Sequence, residues 1–314
     1  VLLFSKNTAG LIRDLENNPL NRNLRTAMGL FETLRLYGMN YIIDPDSSYI
    51  EASKDASFVD YLQFPSQSLT FRAGDCDDLS ILFSALLESV NIESAFITIP
   101  GHIFMAFSLD LTRKEAEQQF PDTSGFIFHE DKTWVPVEVT MVRDGFNEAW
   151  RVGVREWNEA SSLDKANIYP IHNAWQEYEP VQGASSALSL VYPSTENIVR
   201  NYKAALEEFT SSQVEPKVQL YRDRIQDRGD SAQIRNRIGV TYARYGLFNN
   251  AADEFKRALR LDSRMVSPLT NLGNISFLQD NMIEALDYYE QAEKDDGNNT
   301  AVIAGLARTR YELE

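Results

Sequence analysis

Cysteine is almost absent from this chain: 314 residues contain one, Cys76, together with three histidines. An internal disulfide is therefore excluded, and so is a cysteine-rich zinc site. Positive charge is also scarce. Lys and Arg total 30 against 46 Asp and Glu, a net charge of −16. A chain this acidic is repelled by phosphate backbones and anionic lipid, which argues against nucleic-acid binding. No run of about 18 apolar residues occurs, so no membrane span is predicted. A starting methionine is missing too. The chain opens at Val1 and stops inside a repeat, and so reads as part of a longer protein. What is present is ordinary globular usage, 43% hydrophobic and 24% charged, which excludes a disordered or collagen-like chain. At about 150 residues per domain, two domains are expected.

Charge and pattern both change near residue 200. Residues 1–200 carry 15 basic and 28 acidic side chains, and residues 201–314 carry 15 and 18. The second part repeats itself. Gly239 and Gly273 lie 34 residues apart, as do Ala251 and Ala285, Phe255 and Tyr289, and Ala258 and Ala292. Ile238, Leu272 and Leu306 form a third series at that step. Small residues at Gly239, Ala251 and Ala258 let paired helices approach, and Phe255 and Tyr289 fill the space between units. With Tyr242, this pattern resembles the tetratricopeptide repeat. The second unit is weaker, since Ser276 stands where an aromatic is usual. Repeats are expected at about 232–265 and 266–299, with a partial third at 300–314. Residues 195–230 read as two further helices forming a cap, and 181–195, with Gly183, several Ser and Pro193, as a linker. The resemblance implies a protein or peptide partner held by the array.

Residues 1–180 mix periods. Leu24, Ala27, Met28, Phe31 and Leu34 predict a helix over 21–37, stopped by Gly38. Asp44-Pro45-Asp46 is a turn signal. A second helix is predicted over 76–90, then strands at 94–99, 102–109, 125–129 and 133–139. Thr112 and Glu115 form a capping box for a short helix at 113–119. Another helix is expected at 144–158. This is an α+β pattern. Trp134, Trp150, Trp157 and Trp175 are expected in the core. His129, beside Glu130 and Asp131, reads as a solvated turn residue, and His172 has no visible partner in sequence.

The segment Arg72-Ala73-Gly74-Asp75-Cys76-Asp77-Asp78 carries the chemistry. Asp75 is a good helix N-cap, with Asp77 and Asp78 in the first turn. Cys76 then opens a buried helix, whose positive end favours thiolate. The three aspartates oppose this. Calcium is a weaker explanation of these acids than helix capping, because no alternating 12-residue ligand loop surrounds them. Neither a metal nor a cofactor is expected. His102 starts a strand after Pro100-Gly101. Glu138 is the only carboxylate in the apolar run Trp134–Val139 and needs a partner if buried. Cys76, His102 and Glu138 thus offer nucleophile, base and orienting acid. The Cys76 backbone N–H is a natural oxyanion donor. Gln67 is a weak candidate for a second, with Gln63 as the other nearby amide.

The motifs Arg72-x-Gly74-Asp75-Cys76-Asp77-Asp78, Gly101-His102 and Trp134-x-Pro136-Val137-Glu138-x-Thr140 resemble those of the transglutaminase-like superfamily, whose core is papain-like. The resemblance covers roughly residues 20–160. It implies thiol acyl transfer or hydrolysis, with Cys76 as nucleophile, His102 as general base and Glu138 as orienting acid. Most members have Asp where Glu138 stands, which bears on activity rather than fold. Bacterial relatives that combine such a domain with tetratricopeptide repeats imply an extracytoplasmic, periplasmic setting. The alternative expectation is a catalytically inactive scaffold that binds partners through its repeats.

Overall fold

A computed structural model describes residues 1–15, 20–43, 62–181 and 190–314. The Asp44-Pro45-Asp46 turn, and residues 182–189 of the expected linker, lie outside the described residues. The chain divides into two units, Val1–Phe209 and Thr210–Glu314.

The first unit is α+β. Helices α1 (Leu2–Asp14) and α2 (Arg22–Tyr37) open it. Asn21 caps α2 by accepting the Leu24 N–H, and Gly38 closes it at φ 90°, a left-handed angle that suits glycine. Strand β1 (Asn40–Tyr41) pairs in parallel with β2 (Ala73–Gly74), which follows helix α3 (Pro65–Phe71). Helix α4 (Cys76–Glu88) comes next, then the hairpin β3 (Ser94–Ile99) and β4 (His102–Ser108). After α5 (Arg113–Gln119), with its Thr112–Glu115 capping box, come β5 (Ile127–His129) and β6 (Lys132–Val137). A 3₁₀ turn (Val139–Met141), α6 (Phe146–Ser161), β7 (Asn167–Pro170) and α7 (Ile171–Ala174) complete it. The sheet is antiparallel, in the order β5-β6-β4-β3-β7.

Alternation sorts β4 and β6 between two clusters. Met105, Phe107, Val135 and Val137 join the large core with Leu79, Leu82, Phe83 and Leu86 of α4. Phe104, Ala106 and Trp134 form a second cluster with Ala95, Ile97 and Ile127, and Trp157 packs against it. Both faces of the central strands are therefore dry. Trp150 and Trp157 are partly buried and pack against the two clusters, whereas Trp175, 41% exposed and stacked on His172, departs from the expected core. No helix among the described residues is long and apolar enough to cross a membrane.

One helix, α8 (Thr195–Arg228), stands where two were expected. Pro216 lies inside it. The buried Val214 and Val218 anchor it on both sides of the proline, which keeps the two halves in one element.

The second unit is all-α. The pairs α9 (Ala232–Arg244) with α10 (Phe248–Leu261), and α11 (Val266–Leu278) with α12 (Met282–Asp295), precede α13 (Thr300–Leu313). A Cβ at Gly239 would lie 2.5 Å from the Phe255 ring, and one at Gly273 2.7 Å from the Tyr289 ring. Ala251, Ala258, Ala285 and Ala292 are fully buried, and Tyr242 nearly so. In α13 the ring of Tyr289 is met by Gly305, one residue before Leu306. Ser276, in place of an aromatic, donates to Glu284 Oε2 at 3.0 Å.

Candidate functional site

Three elements deliver the expected residues. The N-terminus of α4 supplies Cys76, 7% exposed. Asp75 accepts the Asp78 N–H at 3.3 Å and Asp77 accepts it at 2.9 Å, so these two acids serve the helix start. Asp78 turns instead to Gln63, whose backbone and side-chain N–H groups donate to it at 2.7 and 2.5 Å. Burial pushes the Asp78 carboxyl up, against the pull of these hydrogen bonds.

His102 starts β4, directly opposite Ile99 across the turn at Gly101. Strand alternation stacks its ring on Phe104, 6.0 Å away. Its Nε2 lies 2.6 Å from Glu138 Oε2. Cys76 lies close enough to His102 to act on the imidazolium pKa. With Nε2 held by Glu138, Nδ1 is the nitrogen left to the thiol. Burial pulls the imidazolium pKa down. Contact with Cys76 and the hydrogen bond to Glu138, with the charges on both, overcome it and raise the pKa to about 10.

Glu138 lies one residue past the end of β6, not within the strand. Its Oε1 accepts the Thr140 N–H at 3.0 Å and the Thr140 hydroxyl at 2.5 Å, which turns the chain into the 3₁₀ segment. The residue is 2% exposed. Burial favours its neutral form, but His102 and Thr140 outweigh this and hold the carboxyl below its ordinary range. The Glu138 N–H also donates to Ala149 C=O of α6 at 2.9 Å. The fit there is close: a Cβ on Gly153 would meet Pro136 and Glu138 backbone atoms at 3.0–3.1 Å.

Of the two glutamines, Gln67 accepts the Phe64 N–H at 2.8 Å and so caps α3. Gln63 is the one that reaches an acid of the α4 start. Two further groups belong to this site and were not singled out from sequence. Glu156 Oε2 lies 3.8 Å from His102 Nε2. Tyr41, 40% exposed on β1, lies at the edge of the site, where partial burial and then the charges of Cys76, Asp75, Glu138 and Asp77 push its hydroxyl pKa up. The signal for Glu156 was available: it sits three residues from Gly153 and seven from Ala149, on one helix face. Nothing in the sequence marks Tyr41.

The other histidines lie elsewhere. His172 has a partner after all, because α7 brings Nε2 to 2.9 Å from Glu88 Oε2. That residue is 84 positions away, which is why sequence could not show it. His129 stands at the β5–β6 turn, 3.7 Å from Glu130.

Among the described residues, His102, Glu138 and Glu156 offer three ligand atoms within 4.8 Å of one another, as do Asp75, Asp77 and Asp78. In the first group Nε2 and Oε2 stand 2.6 Å apart, a hydrogen-bond separation. Two ligands on a tetrahedral ion at ~2.0–2.1 Å would be about 3.3 Å apart. In the second, the carboxylates serve the α4 start and Gln63. Neither group is assigned to a metal.

No family model and no curated protein matches the chain. Solved structures similar to it include tetratricopeptide-repeat domains. The second such domain of human RPAP3, solved in complex with an HSP70 peptide, is 17% identical, with 32% of this chain and 85% of that one covered and a TM-score of 0.29. The Arabidopsis OM64 domain is 17% identical, with 35% and 94% covered and a TM-score of 0.30. The Sgt2 domain of Aspergillus fumigatus is 19% identical, with 34% and 76% covered and a TM-score of 0.29.

Proposed function

We propose that the first unit is a transglutaminase-like thiol acyl-transfer or hydrolysis domain with a papain-like core, and that the repeats bind the protein or peptide on which it acts. The observation that carries this reading is the line of contact from Cys76 through His102 to Glu138, built from three separate elements. Such a line has chemical use. The Cys76 sulfur attacks an amide or ester carbonyl, and a C–S bond forms. His102 gives its proton to the leaving nitrogen or oxygen as that bond to carbon breaks. Water or an amine then attacks the thioester, His102 takes its proton, and the thiolate departs. Glu138 holds the imidazole in orientation and offsets its charge. The Cys76 N–H, at the start of α4, points to the oxyanion role.

The repeat unit supports partner binding on its own physics. Stacked helix pairs bury one face and present another for an extended segment or helix. The net charge of −16 favours a basic partner for the chain as a whole, although the repeat part, with 15 basic and 18 acidic side chains in residues 201–314, is nearly balanced.

The test is acylation by p-nitrophenyl acetate, followed by nitrophenolate release and intact mass. The wild type is expected to release one fast equivalent and gain one hydroxylamine-labile acetyl group, and Cys76→Ser to do neither. Equal behaviour of the two proteins would favour the scaffold reading.

A further inference from the structure

We propose that Glu156 is a positioning residue of the thiol site, a carboxylic acid that shares a proton with Glu138 and sets by pH how firmly His102 is held. The inference rests on the thiol-site reading and adds a regulation to it.

The argument begins with how α6 is fixed. Ala149, Gly153 and Glu156 share one helix face. Ala149 accepts the Glu138 N–H, and Gly153 lets the helix close onto the Pro136–Glu138 backbone. The third residue of the face is thereby delivered to Glu138. Carboxylate oxygens of the two side chains lie within 4.8 Å of each other and of the His102 ring nitrogen.

Two ionised carboxylates this close in a buried place repel each other, and a proton on one of them relieves the repulsion. Glu138 already accepts from three donors: His102 on Oε2, and the Thr140 N–H and hydroxyl on Oε1. Glu156 Oε2 is buried with no hydrogen-bond partner. The ionised form is thus supported at Glu138, and the proton belongs to Glu156.

The charged groups facing Glu156 are Glu138 past β6, His102 on β4 and Arg155 on its own helix. Cys76 and Tyr41 act on the same site through His102 and Glu138. Burial and the Glu138 charge push the Glu156 carboxyl up, His102 and Arg155 pull it back, and it comes to rest at about 7.

The consequence is a site with two settings. With its proton on, Glu156 donates to Glu138 and draws charge from it, so the imidazolium is freer to protonate a leaving group. With the proton lost, a second carboxylate stands 3.8 Å from Nε2 and the imidazolium is held more tightly. Acyl transfer then slows as pH rises through neutrality.

The test follows the His102 ring by NMR in protein labelled at histidine Cε1, its signal assigned by its loss in His102→Asn. Glu156→Gln keeps a hydrogen donor for Glu138 but cannot ionise. The wild type is expected to show a secondary inflection near pH 7 before the main titration of the ring. Glu156→Gln should lose that inflection and titrate the ring at lower pH. An inflection that survives in Glu156→Gln, or a wild type without one, overturns the proposal. The failure of the thiol-site reading looks different: Cys76 would then alkylate alike in wild type and His102→Ala, whatever Glu156→Gln does to the inflection.

Discussion

Glu138 shows how little one side chain reveals until its neighbours are placed. As a lone acid in an apolar run it had to find a partner or stay at the surface. It is buried, and it finds His102 at 2.6 Å and Thr140 on its other oxygen. Thr140 was legible only as part of a motif. Its hydroxyl fixes one carboxylate oxygen, and this lets a glutamate, one methylene longer than aspartate, present the other to the imidazole. Glu138→Gln tests this pairing. The ring of His102 is then expected to titrate about 1–3 pH units lower, read from its NMR shift, because the loss of an adjacent charge removes a shift of that order. The sign for stability follows. His102 is raised to about 10, so its contribution is fully present below its ordinary value near 6.5 and is lost as pH rises through 10. Glu138 is lowered, so its contribution is present above the ordinary carboxylate value of 4.5 and is lost as pH falls. In Glu138→Gln both limbs of the stability profile should flatten, measured by thermal unfolding across pH.

At the scale of elements, the repeat unit was the most legible part. The 34-residue step marked the small residues and the aromatics; in the structure Phe255 meets Gly239 within one helix pair, and Tyr289 meets both Gly273 of its own pair and Gly305 of the next helix. Gly239→Val is expected to cost about 1–3 kcal/mol by overpacking, read as a lower denaturant midpoint for the repeat unit. An unchanged midpoint would mean the ring moves aside freely. The capped helices were also legible, because Asn21, Asp75 and Thr112 mark their starts by side chains that accept local N–H groups. What escaped was set by distant contacts. β7 is strand only because it pairs with β3 across more than 60 residues. α8 is one helix through Pro216 where two were expected over 195–230, with Val214 and Val218 buried on either side of the proline. Glu138 falls outside its strand because its own side chain bends the chain.

For the whole molecule, composition excluded more than it specified. One cysteine and few histidines left a single place where thiol chemistry could be built, and the fold brings Cys76, His102 and Glu138 together there. The aspartates beside Cys76, ambiguous in sequence between capping and cation binding, are engaged at the helix start and by Gln63. Glu156 joined the site from a helix face that it shares with Ala149 and Gly153, and Tyr41 from a strand that no local motif connects to it. Because every alkylation event reports on Cys76, the most direct measurement is the rate of iodoacetamide labelling against pH, in wild type and in His102→Ala. The account predicts rapid labelling of the wild type well below pH 8 and a loss of that reactivity in the variant. Labelling of both proteins only near the ordinary thiol range of about 8.5, with no difference between them, would contradict it.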